Sequence, residues 1–187
     1  MAASGRSEPC DREGWSEKIG RPVLGKPPKE LSMSGATDHV PDEARAVSEV
    51  LVGAWSLLEC AEVMQDGAKR LPFGDRALGQ VIYTADGRMS AQLVRAGRAA
   101  FASDDYRAAP IEILAEAFQQ YFGYFGRYTV DAVASTVTHF IDGASIPNLE
   151  NKAQVRTFRL EEDRLVLEAA MPWGFIRNTW IRAGTRA

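Results

Sequence analysis

From Gly53 to the C-terminus, apolar and polar residues alternate along most of the chain in short runs. A period of two puts successive side chains on opposite faces and marks strands with one buried face. The runs are Gly53 to Met64, Leu78 to Thr84, Gly87 to Val94, Arg127 to Asp131, Thr136 to Asp142, Ala153 to Leu160, Arg164 to Ala169 and Phe175 to Ile181. Between the second and third stands Ala85-Asp86-Gly87, and Asp-Gly between two alternating runs is a strong hairpin signal. Asp163 marks a tight turn before Arg164.

Two stretches follow a helical period instead. Pro41 to Leu51 places Asp42 and Glu43 in a first turn and Ala46, Val47, Val50 and Leu51 at helical spacing, which predicts a short amphipathic helix. Ala109 to Phe122 predicts a second, with Pro110 in its first turn and Ile113, Leu114, Ala117, Phe118 and Tyr121 on one face. Gly123 and Gly126 punctuate its end. The aromatic cluster from Tyr121 to Tyr128 reads as packing of this helix against a barrel mouth, or as a lid over it.

Eight strands linked by short turns leave two exposed edges, and closure into an up-and-down antiparallel barrel removes both. The expected fold class is therefore all-β, an eight-stranded barrel with a short N-terminal helix and one inserted helix. Eight strands enclose room for side chains or for one small ligand. A two-sheet sandwich satisfies the same strand count.

Residues 1 to about 40 show neither period. Gly, Pro, Ser and charges dominate there, a composition that cannot bury enough apolar area to offset the entropy of ordering it. We expect a disordered tail over 1–40 and the barrel domain over 41–187. The globular pattern begins just after Met33, which makes Met33 an alternative start.

Composition narrows the functional classes. The chain has 187 residues, a net charge of -3 and scattered basic residues, so neither nucleic acid nor an anionic membrane is an expected partner. No secretory apolar region opens the chain, and no run approaches the ~18 apolar residues of a membrane helix. Cys10 and Cys60 lie in unlike settings and read as reduced thiols of a cytoplasmic protein. One histidine and one cysteine within the domain cannot build a zinc or iron site, and phosphate-loop and nucleophile-elbow motifs are missing. The expectation is no metal and no cofactor, with any chemistry being acid–base or electrostatic.

A family resemblance rests on several motifs in order. These are Gly53-Ala54-Trp55, Pro72-Phe73-Gly74, the stretch from Tyr83 to Gln92, Tyr124-Phe125-Gly126-Arg127-Tyr128, Thr136-Val137-Thr138-His139, Pro147-Asn148 and Trp180-Ile181-Arg182. Together they resemble the stand-alone lipocalin-like domain proteins of bacteria and fungi, within the calycin superfamily, over roughly residues 50–183. The resemblance implies a barrel in which Arg182 lies over Trp55 as a cation–π pair. It also implies an association with secondary metabolism and kinship with cofactor-free cyclases and isomerases. Trp55 facing inward would carry Leu57, Glu59 and Ala61 with it.

Alternation sorts the remaining candidates. Val137, His139 and Ile141 share a face, as do Gln154, Arg156, Phe158 and Leu160. Apolar and polar residues mixed on that last face fit the wall of a ligand cavity. The candidate catalytic residues are His139 as proton shuttle, with Arg156 and Tyr83 stabilising developing negative charge; Arg156 suits a carboxylate, enolate or phenolate. The candidate substrate-binding residues are Glu59, Gln92, Tyr124, Gln154, Phe158 and Trp180, and no residue is assigned to a metal. Plainer readings stand beside these: His139 as a satisfied core residue, Arg156 paired with Glu59, and Asn148 as a turn former.

The functional expectation is a barrel that binds a small, largely apolar molecule. It would act as a cofactor-free cyclase or isomerase on a polyketide- or terpenoid-like intermediate, or as a non-catalytic carrier. The expected partner is that small molecule, with a homodimer left open. A barrel filled by its own side chains is the third option.

Overall fold

Strand pairing starts at the predicted hairpin. Thr84 and Gly87 close the turn through the Gly87 amide and Thr84 carbonyl at 3.1 Å, and Gly87 takes φ +82°, a conformation that glycine adopts without steric cost. In the computed structural model, which describes residues 49–185, this hairpin joins β3 (Leu78–Tyr83) to β4 (Arg88–Val94). The other strands are β1 (Gly53–Met64), β2 (Lys69–Arg70), β5 (Tyr121–Asp131), β6 (Thr136–Ala144), β7 (Ala153–Glu161), β8 (Arg164–Met171) and β9 (Gly174–Arg182). Every pairing is antiparallel, and β1 and β3 to β9 follow one another around the sheet in chain order.

Pairing of β1 with β9, from Trp55 opposite Arg182 to Met64 opposite Gly174, closes the ring. The expected eight-stranded barrel is thus the observed one. Closure gives the outermost strands backbone partners, and the sandwich is excluded. The two-residue β2 flanks the end of β1 and was not predicted. It is too short to show a period.

Two segments depart from their expected bounds. The inserted helix α1 spans Ile111–Gln119, and β5 begins directly at Tyr121. The aromatic residues of 121–128 therefore belong to a strand, where aromatic side chains pack well, and not to a helix end or a lid. Gly126 serves a different purpose from the predicted helix stop. It stands at a bulge where a Cβ would lie 2.0 Å from the Phe140 carbonyl oxygen.

Of the predicted N-terminal helix, residues 49–51 are described and are helical. The rest of that helix, the tail 1–40 and the question of Met33 lie outside the described residues. No helix among the described residues is long and apolar enough to cross a membrane.

One end of the ring is filled by side chains. Leu51, Trp55, Tyr83, Val137 and Leu165 are buried there. Arg182 seals this end: its guanidinium carbon lies 4.2 Å from the centroid of the Trp55 ring, as the resemblance implied. It also donates to the Val50 and Val52 carbonyls at 2.8 and 3.3 Å, while Trp55 Nε1 donates to the Leu51 carbonyl at 2.9 Å. These bonds satisfy carbonyls that a helix end leaves without partners.

Candidate functional site

The opposite end of the barrel is hollow. A cavity of about 540 Å3 opens there, walled by the last residues of β1, β4 and β8 and the first residues of β5, β7 and β9. Phe73 and Leu149, from the connections before β3 and before β7, stand at its rim. Helix α1 lines none of it. Its residues Ile113, Glu116 and Ala117 instead face a separate cleft of about 880 Å3, shared with the 95–103 connection. The expectation that this helix covers the opening is corrected accordingly.

Which side chains reach the cavity follows from strand register. Among the sequence-predicted site residues, Tyr124, Gln154, Arg156 and Trp180 line it. On β7 the burial pattern alternates as read, with Gln154, Arg156, Phe158 and Leu160 inward. Phe158 sits deeper in that row and packs into the core below the cavity.

Two candidates point elsewhere. Glu59 does not follow Trp55 and Leu57 inward, because the pairing of β1 with β9 shifts register between Leu57 and Glu59. A bulge adds one residue and transfers the following side chains to the other face. Glu59 consequently pairs outside with Lys69, with Nζ and Oε2 2.6 Å apart, and does not neutralise Arg156. Gln92 also lies outside, bonded to Gln80 at 3.0 Å and to Ser90, because Met89, Ala91 and Leu93 take the inward positions of β4.

The bulge brings in residues that strict alternation missed. Cys60 and Glu62 line the cavity in place of Glu59 and Ala61. The adjacent apolar pair Leu57-Leu58, which interrupts the alternation, was the available signal. Burial, with the Glu62 charge adding to it, pushes the Cys60 thiol up to about 12, so it remains protonated. Asn178 of β9 is a further cavity residue that sequence reasoning passed over.

Below the cavity floor three rings are linked. The Tyr124 hydroxyl lies 2.9 Å from His139 Nδ1, and the Tyr83 hydroxyl lies 2.8 Å from His139 Nε2. A neutral imidazole carries one N–H and one lone pair, so one tyrosine donates to it and the other accepts. His139 is fully buried and does not line the cavity; Tyr124 stands between. Burial first, and then the Arg156 charge, holds its pKa well below the ordinary 6.5. Tyr83 is likewise raised well above its ordinary value, chiefly by burial, and stays protonated.

Arg156 is the cation of the cavity. Its Nη2 donates to Gln154 Oε1 at 2.9 Å, and it makes no ion pair among the described residues. No group of three or more potential metal-binding side chains occurs among the described residues.

With barrel, cavity and polar floor in place, the wider likeness can be stated. Residues 52–182 match the sequence profile of the lipocalin-like domain.

This chain belongs to the lipocalin-like domain family.

A curated relative of the lipocalin-like barrel is the 4'-hydroxy-3'-methoxypropiophenone carrier protein of Aspergillus oryzae, 33% identical over 90 residues. The match covers 45% of this chain and 81% of that protein. Two solved structures are similar at a looser level. A redesigned β-barrel has a TM-score of 0.38 and 14% identity, covering 72% of this chain and 93% of its own. A mutant of the fluorescent protein UnaG has a TM-score of 0.37 and 9% identity, covering 73% and 99% respectively.

Proposed function

We propose that this lipocalin-like protein holds one small, largely apolar molecule inside its barrel and carries it unchanged. The cavity of about 540 Å3, apolar for most of its wall and polar at a few points, carries this reading. Its size falls within the ~300–1,000 Å3 of ordinary small-molecule sites. Two features favour carriage over conversion. His139, the side chain best suited to move protons near neutrality, lies behind Tyr124 with both ring nitrogens engaged. The fungal relative is named as the carrier of an aryl ketone.

One observation favours a second reading, the cyclase or isomerase. Tyr124, His139 and Tyr83 form a hydrogen-bonded row that begins at the cavity wall. In an enzyme, Tyr124 would touch the bound molecule and pass a proton along this row.

Titration of the full chain with 4'-hydroxy-3'-methoxypropiophenone tests both. The carrier reading predicts one saturable site with a Kd of about 1–10 μM by calorimetry, and recovery of the compound unchanged by mass spectrometry. Conversion of the compound, lost in Tyr124→Phe, would decide for the enzyme. If this ketone, the neutral dye N-phenyl-1-naphthylamine and its anionic analogue 8-anilinonaphthalene-1-sulfonate all fail to bind, the cavity is not a ligand site.

A further inference from the structure

Within the cavity wall, four buried polar atoms have no hydrogen-bond partner: Arg156 Nε and Nη1, Trp180 Nε1 and Asn178 Oδ1. Their residues are 5%, 1% and 7% exposed, and all three line the same cavity. Buried polar atoms are nearly always satisfied, so three such residues converging on one hollow mark the place of a missing partner. Elsewhere among the described residues no other buried side-chain nitrogen or oxygen is left unpaired.

The chemistry of these atoms defines what would complete them. A guanidinium remains charged at any ordinary pH and carries five N–H donors. Nε and Nη1 hold three of those five. No carboxylate lies within ion-pairing distance of Arg156 among the described residues. Glu62, which also lines the cavity, makes no ion pair with it. A buried cation without a counter-charge is costly to hold, and a bound anion removes that cost. Trp180 Nε1 can only donate, and Asn178 Oδ1 can only accept.

We infer that the cavity selects flat, largely apolar molecules that carry an anionic oxygen, bound by Arg156, with a further acceptor facing Trp180 and a hydroxyl or amine donor facing Asn178. Phenolates, enolates, carboxylates and sulfonates share the required anionic chemistry. This rests on the reading of the barrel as a ligand carrier and adds the charge and polarity of the cargo. Apolar area from Val81, Leu93, Phe122 and Leu167 holds the body of the molecule, while the polar atoms fix its orientation.

Two dyes with one aromatic skeleton separate these levels. N-phenyl-1-naphthylamine is neutral, and 8-anilinonaphthalene-1-sulfonate adds an anionic group to the same rings. Fluorescence titration of the full chain should show the sulfonate binding about tenfold more tightly, the return expected of one charge-assisted contact. In Arg156→Met that preference should vanish while the neutral dye binds as before. Arg156→Lys, which keeps a charge on a flexible stem, should retain part of it. Trp180→Phe should weaken the sulfonate more than the neutral dye.

If the neutral dye binds to the wild-type chain as tightly as the sulfonate, the inference fails while the carrier reading stands. The same holds if Arg156→Met and Arg156→Lys both keep the wild-type preference. If neither dye binds, both fall together.

Discussion

His139 was read from its position on a strand, and the alternation placed it correctly on the inward face. Inward, however, means the packed floor: both nitrogens are taken by tyrosine hydroxyls. Its pKa lies below the ordinary 6.5, so below that pH the unfolded chain binds a proton that the barrel excludes. Stability is therefore complete above about pH 6.5–7 and declines as pH falls towards the folded pKa, by up to about 1.4 kcal/mol per pH unit. Denaturant midpoints at pH 7 and pH 5 measure the loss. His139→Gln should lose clearly less over the same interval, and equal losses would remove His139 as the source. The neighbouring readings show how far a single position can be taken. Gln154, Arg156 and Trp180 were legible because their strands keep strict alternation. Asn178, two residues from Trp180 on the same face, was equally accessible to that logic but went unused. That three residues lack partners needs coordinates, since hydrogen-bond satisfaction depends on neighbours far apart in the chain.

At the scale of the element, bulges decided what sequence could tell. Strand β1 carries one at Leu58, which sends Glu59 outward, and β6 carries one at Asp142, opposite Gly126, where the strand interior replaces the expected helix stop. A bulge leaves a faint trace in sequence because it changes pairing by one residue without changing composition. The Asp86-Gly87 hairpin was legible because its turn depends on local chemistry. The bulge opposite Gly126 has a testable consequence. Gly126→Ala sets a Cβ against the Phe140 carbonyl, and since backbone cannot rotate away, the variant should lose about 2–3 kcal/mol of stability. Urea unfolding checks this; a loss below about 0.5 kcal/mol, the size of an ordinary surface change, would show that the bulge yields freely.

For the whole molecule, closure was inferable from strand count and the absence of long connections between most strands, but the division of the barrel into a packed half and a hollow half was not. That division arises from where the large side chains fall along the barrel axis. The packed half is fastened by Arg182, which spans the Trp55 face and two carbonyls of the entering segment. Arg182→Met should keep the fold but cost about 1–2 kcal/mol. Hydrogen exchange should quicken at the paired amides of β1 and β9 before those of β5 and β6. Uniform quickening would mean that Arg182 is no fastening of the ring seam.

A vessel filled at one end and open at the other also imposes an order on traffic. The part of a molecule that enters first reaches the polar floor and is the last to leave. Under the proposed carrier role, a bound molecule would be offered to the outside by the same end each time, beside Phe73 and Leu149 at the rim. A recipient waiting at the rim would meet one fixed aspect of the molecule, so a carrier of this shape would set the direction of delivery as well as the choice of what it holds.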